Sequence, residues 1–107
     1  MSHPSRVLVV QADGAERLFQ RALFTDAGLE VVEAGSGAEA LEFLATDRPD
    51  LVVLGRTLPD MDGLELLPRL KSSELDYVPV LVASHLGDTA ERVRGLQLGA
   101  DDYLARP

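Results

Sequence analysis

Short apolar runs in this chain are each followed at once by residues that could do chemistry: Gln11-Ala12-Asp13 after 6–10, Gly55-Arg56 after 51–54, Ser84-His85 at the end of 79–84, and Arg106 after 103–105. A carboxylate so placed can ligate a cation, and a serine can attack a carbonyl if a base stands beside it. Asp13, however, is a lone carboxylate after a strand and reads as the N-cap of the helix that follows. Ser84 lacks the glycine pattern of a nucleophile elbow. His85 has no partner in view and reads as a solvated loop residue, while His3 falls in an end expected to be disordered. Asp60 and Asp62 read as residues that shape a turn and cap the next helix. Gly35-Ser36-Gly37 and Gly55 are too sparse for a phosphate-cradling loop and read as turns.

What would gather these residues is the order of the elements. Arg6 to Val10 is a β-branched apolar run, as expected of a strand buried on both faces. From Gly14 to Ala27, Leu18, Phe19, Ala22 and Leu23 recur at helical spacing, and Gly28 ends the helix. Leu29 to Ala34 is a second strand, stopped by Gly35-Ser36-Gly37. Ala38, Leu41 and Leu44 mark a second helix, ended by Asp47-Arg48-Pro49-Asp50. Leu51 to Leu54 is a third strand. After a loop with Pro59 and Gly63, Leu66, Leu67 and Leu70 define a third helix, with Pro68 inside it predicting a kink or a late start.

Pro79 to Ser84 is a fourth strand. Asp88-Thr89-Ala90-Glu91 reads as a capping box opening a fourth helix, which runs through Val93 and Leu96 to Gly99. Tyr103 to Ala105 closes the series. Alternation of this kind predicts an α/β fold, a parallel sheet with helices on both faces joined by right-handed crossovers. Its functional crevice lies beyond the carboxyl ends of the strands, where the first-named residues stand.

Composition narrows the function. A chain of 107 residues with 46% apolar and 26% charged residues can bury one core as one domain, 1–107. Without cysteine there is no disulfide, thiol chemistry or Cys-ligated zinc. A net charge of −8, with Lys71 the sole lysine, opposes binding to nucleic acid or anionic lipid. No stretch approaches a membrane span, and the cytoplasm is the expected location.

Five motifs, VLVVQAD at 7–13, RPDLVVL at 48–54, LPDMDGLELL at 58–67, PVLVAS at 79–84 and LGADDYLARP at 98–107, stand together in order. On these the chain resembles the response-regulator receiver (CheY-like) domains of two-component systems over nearly its whole length. The resemblance implies a flavodoxin-like three-layer sandwich whose five-stranded parallel sheet has the order 2-1-3-4-5. It also implies an aspartate at the end of the third strand that takes a phosphoryl group, a position that here is Gly55. The acidic pair that ordinarily holds magnesium matches Gln11 and Ala12, leaving Asp13 as a residual carboxylate. The family's lysine before proline matches Arg106, which keeps charge without the compact ammonium. The switch hydroxyl and switch aromatic match Ser84 and Tyr103 and are intact.

Phosphoryl transfer to a carboxylate needs a nucleophile, a hard cation and oxygen ligands for that cation. The expectation is therefore a degenerate pseudo-receiver: not an enzyme, without a cofactor, its magnesium site lost. It would work as a protein–protein interaction module through the fourth helix, the fifth strand and the adjoining loop. The alternative is a sensor in which Arg56 and Arg106, near a crevice stripped of its acidic pair, hold an anionic ligand and move Ser84 and Tyr103. Retention of phosphoacceptor activity runs against Gly55. Receiver domains ordinarily continue into a fifth helix where this chain stops at Pro107. Its absence is expected to leave an apolar strip that a dimer or an exchanged element covers. By the same resemblance the Arg106–Pro107 bond is expected to be cis.

Overall fold

The computed structural model describes residues 5–71, 78–84 and 89–105. His3, His85, Asp88, Arg106 and Pro107 lie outside them, and with them the first residue of the expected capping box and the expected cis bond. The elements alternate as β1 (Arg6–Val10), α1 (Gly14–Asp26), β2 (Glu30–Ala34), α2 (Gly37–Thr46), β3 (Leu51–Leu54), α3 (Gly63–Lys71), β4 (Val80–Ser84), α4 (Thr89–Gln97) and β5 (Asp102–Ala105). The strands form one parallel sheet of order β2-β1-β3-β4-β5, the order expected.

Alternate residues of the central strands feed two cores. Leu8, Val10, Val52, Leu54, Val80, Val82 and Tyr103 face one side, where Ala40 of α2 and Leu64, Leu66, Leu67 and Leu70 of α3 pack on them. Val7, Val9, Val53 and Ala83 face the other, packed by Phe24 of α1 with Leu29, Val31, Leu51 and Leu81. Burial on both faces is why these strands read as unbroken apolar runs.

The helices hold surprises of phase. The apolar stripe of α1 does not face the sheet: Leu18 is 66% and Leu23 55% exposed, and Phe19 is exposed too. Gln20, at 4%, is buried instead, with Phe24 half-buried four residues on. At 3.6 residues per turn, the stripe points roughly 150° away from that buried edge. In this roll Phe24 packs on the core, and Arg17 and Arg21 both pair with Glu33 of β2. In α4 the apolar residues Val93 and Leu96 are likewise exposed, and the buried position is Gly95. A Cβ at 95 would lie 2.6 Å from a Tyr103 ring carbon, so a small residue there lets the ring seat against the helix.

Of the kink or late start expected for the third helix, the late start does not occur. The helix begins at Gly63 and runs through Pro68, whose ring is exposed while Leu64, Leu66, Leu67 and Leu70 anchor the helix in the core. Gly63 is required by close approach: a Cβ there would stand 2.0 Å from the Gly55 carbonyl oxygen. Among the described residues no helix is long and apolar enough to cross a membrane.

Candidate functional site

The sheet's hydrogen bonding runs one residue past the strands and fixes the crevice floor. Gln11 donates its N–H to the Ala34 carbonyl (2.9 Å), and Gly55 donates to Val10 (2.8 Å). Gln11 and Gly55 thereby stand side by side. A Cβ built on Gly55 would lie 2.8 Å from Gln11 Oε1 and 2.9 Å from Nε2, so the Gln11 carboxamide fills the space a side chain at 55 would need. Gln11 is only 9% exposed. Ala12 is exposed and brings no ligand atom. Ser84 is buried at the end of β4, and Tyr103 is fully buried on β5.

The carboxylates around this floor are engaged with backbone. Asp13 accepts from Glu16 N–H at 2.9 Å and caps α1. Asp60 accepts from both Gly37 N–H and Ala38 N–H at 2.9 Å, which places it at the start of α2 rather than of the third helix, contrary to expectation. The loop after β3 folds back over α2, a long-range contact that no local pattern announces. Those two N–H groups hold the Asp60 carboxyl below the usual carboxylate range. Asp62 does cap the third helix, accepting from Leu64 N–H at 2.9 Å.

Arg56 is where the expectation needs correcting. Its side chain is 5% exposed and is committed to two carboxylates, so it does not stand as a spare cation for an anion. Nε donates to Asp62 Oδ1 at 3.2 Å and Nη2 to Oδ2 at 2.8 Å, a two-pronged fork; Nη1 donates to Glu91 of α4. These bonds, led by Asp62, push the Arg56 pKa further up, and the Arg56 donors hold the Asp62 carboxyl down. Glu91, expected in a capping box whose first residue lies outside the described residues, also pairs with Arg56 in the loop after β3. The readable signal was an arginine directly behind a buried strand, which demands partners; their identities were set by the tertiary fold.

Gln11 and Ala12 offer one neutral carboxamide oxygen where a magnesium ion takes carboxylates and water, and Asp13 is occupied as a cap. This donor set does not fit that ion. Among the described residues no three acidic or histidine side chains gather in a group that could hold a metal.

A family model described as the response regulator receiver domain matches residues 7–107. Response regulator MprA of Mycolicibacterium vanbaalenii is 45% identical over 104 residues, covering 97% of this chain and 45% of the relative. Its namesake in Mycobacterium ulcerans is 45% identical over 102 residues, covering 95% and 44%. The chain thus spans a little under half the length of these curated relatives. Among solved structures, a Francisella response regulator receiver domain superposes with a TM-score of 0.90 at 33% identity, over 96% of this chain and 84% of that one. A CheY-like receiver domain protein from Methanospirillum hungatei gives 0.89 at 26%, over 98% and 83%.

Proposed function

The chain belongs to the response regulator receiver domain family of two-component systems, and from that premise we propose that it is a pseudo-receiver, which signals by protein contact and takes no phosphoryl group. The observation that carries this reading is the Gln11 carboxamide lying where a side chain on residue 55 would stand. A receiver needs a carboxylate nucleophile there and oxygen ligands beside it. Gly55 supplies no nucleophile, and Gln11 with Ala12 supplies too few ligands for the magnesium ion that would neutralise developing charge. The domain is then not an enzyme, carries no cofactor and works in the cytoplasm.

The contact surface is α4, β5 and the loop between them. On α4, Val93 and Leu96 are exposed one turn apart, an apolar pair suited to a protein partner and poorly suited to water. A second apolar set, Leu18, Phe19 and Leu23 of α1 with Leu104 of β5, supports self-association of the domain or an exchanged element. The alternative, a crevice that senses an anion, is weakened by the commitment of Arg56 to Asp62 and Glu91. A phosphate and sulfate thermal-shift titration separates the two, since a specific ligand raises the melting temperature with occupancy.

The direct test is partner capture by the intact protein in its own cells, with and without Val93→Glu and Leu96→Glu. Capture should fall with the substitutions and stay the same when a phosphodonor is supplied. Capture that requires the phosphodonor would refute the reading.

A further inference from the structure

We propose that Arg56 is an internal latch, its guanidinium clasped by Asp62 and Glu91 beside Tyr103 so that α4 and β5 are held in one arrangement without any phosphoryl group. The latch deepens the reading of the α4–β5 surface as the point of contact and rests on that reading for its purpose.

The fixed post of the latch is the loop after β3. Asp62 receives two Arg56 nitrogens and the Leu64 N–H, and Gly63 N–H donates back to the Arg56 carbonyl at 2.6 Å. Backbone and side chain of residue 56 are thus pinned to the same three-residue stretch. A guanidinium suits this task because its planar fork satisfies one carboxylate with two parallel bonds and still has a nitrogen for a second.

What hangs on the post is α4. The helix has little apolar anchorage: Val93 and Leu96 are exposed, and its buried residue is Gly95, seated on the Tyr103 ring. An element with few buried apolar contacts opens locally at low cost. The Glu91–Arg56 pair ties the first turn of α4 to the loop after β3, and Gly95 of the same helix rests on the Tyr103 ring of β5. One side chain therefore joins the loop after β3 and the start of α3 to α4, and through the seat of Gly95 on Tyr103 it reaches β5. The guanidinium is only 5% exposed while Asp62 and Glu91 are 34% and 32% exposed, so it is the buried cation that cannot be left without partners, and this sets the pairs apart from ion pairs wholly in water.

The test is amide hydrogen exchange read by mass spectrometry on the intact protein and on Arg56→Met, Glu91→Gln and the double variant. In Arg56→Met, amides of 89–97 and 102–105 should exchange about tenfold faster or more, the factor for one lost charge-assisted bond. Those of β1 and β2 should change only as far as the urea-measured global stability does. Glu91→Gln should release 89–97 alone, and the double variant should exchange no faster than Arg56→Met. If Arg56→Met fails to fold, Glu91→Gln, which leaves the Arg56–Asp62 fork intact, carries the same test. A uniform rise over all elements, or an unchanged α4, would overturn the latch. Partner capture is a separate readout: its loss of dependence on Val93 and Leu96 would fault the contact surface and leave the exchange result standing.

Discussion

If the Gln11 carboxamide occupies the place of an acceptor side chain, Gly55→Asp and Gln11→Ala must be energetically coupled. Gly55 carries no left-handed φ, a conformation that among the described glycines belongs to Gly28 and Gly99, so aspartate meets no backbone strain there. The Gly55 N–H bond to Val10 also survives the change. The obstacle is the Gln11 side chain, 2.8–3.0 Å from the new Cβ. Overpacking of a filled site costs about 1–3 kcal/mol, and the lower end applies because the collision is with the far end of a flexible side chain. Burying a carboxylate beside a neutral amide adds about 1 kcal/mol or more. In the Gln11→Ala background the steric part disappears, so the two substitutions should couple favourably by about 1–1.5 kcal/mol. In a domain of this size that is on the order of 4–8 °C of melting temperature per kcal/mol. Urea unfolding of the wild type, both single variants and the double variant measures the cycle. Costs that add within about 0.5 kcal/mol would show that the carboxamide does not fill that space.

Other consequences concern the helices and the carboxylates. Gln20 is buried on α1 with its Oε1 unpaired among the described residues, and its Nε2 reaches Glu16 at only 3.2 Å. Gln20→Leu should stabilise by about 1–2 kcal/mol, and an unchanged or lower urea midpoint would refute this. The Asp60 and Asp62 carboxyls both titrate below their unfolded value of about 3.9, the first through the Gly37 and Ala38 N–H groups and the second through Arg56. Their contribution is full above that value and is lost as pH falls through the folded one. Stability should therefore decline below about pH 4, less steeply in Asp62→Asn, as urea midpoints at successive pH values would report. Sedimentation should show concentration-dependent association that Leu18→Glu with Leu23→Glu abolishes; a wild type that stays monomeric at high concentration would remove the case for self-association.

The strands were legible because each is a short apolar run between turn residues, their order came from the resemblance to receiver domains, and the crevice followed from the alternation. Gly55, Gln11 and Ala12 were legible for a different reason: they interrupt motifs whose neighbours are kept, so the departure is visible in one sequence. The roll of α1 was not, because a stripe at 18, 19, 22 and 23 gives a helix and a direction but not what lies on either side of it. The partners on either side, Glu33 of β2 for Arg17 and Arg21 and the core beneath Phe24, are set by the tertiary fold. For the same reason Arg56 could be placed but its bonds could not. Glu91 is 35 residues away and met it only through the β3–β4–β5 order of the sheet. Asp60 misled because capping is read locally, and its two bonds span 22 and 23 residues to α2.

The measurement closest to the central claim is brief incubation with magnesium and acetyl phosphate followed by mass spectrometry of the intact chain and its peptides. The expected result is no phosphoaspartate on the wild type, weak labelling of Gly55→Asp, and more when Gln11→Asp and Ala12→Asp restore oxygen ligands for the cation. Stoichiometric phosphoaspartate on the unaltered chain, at Asp13, Asp60 or Asp62, would contradict the reading and show that the acceptor has moved rather than disappeared.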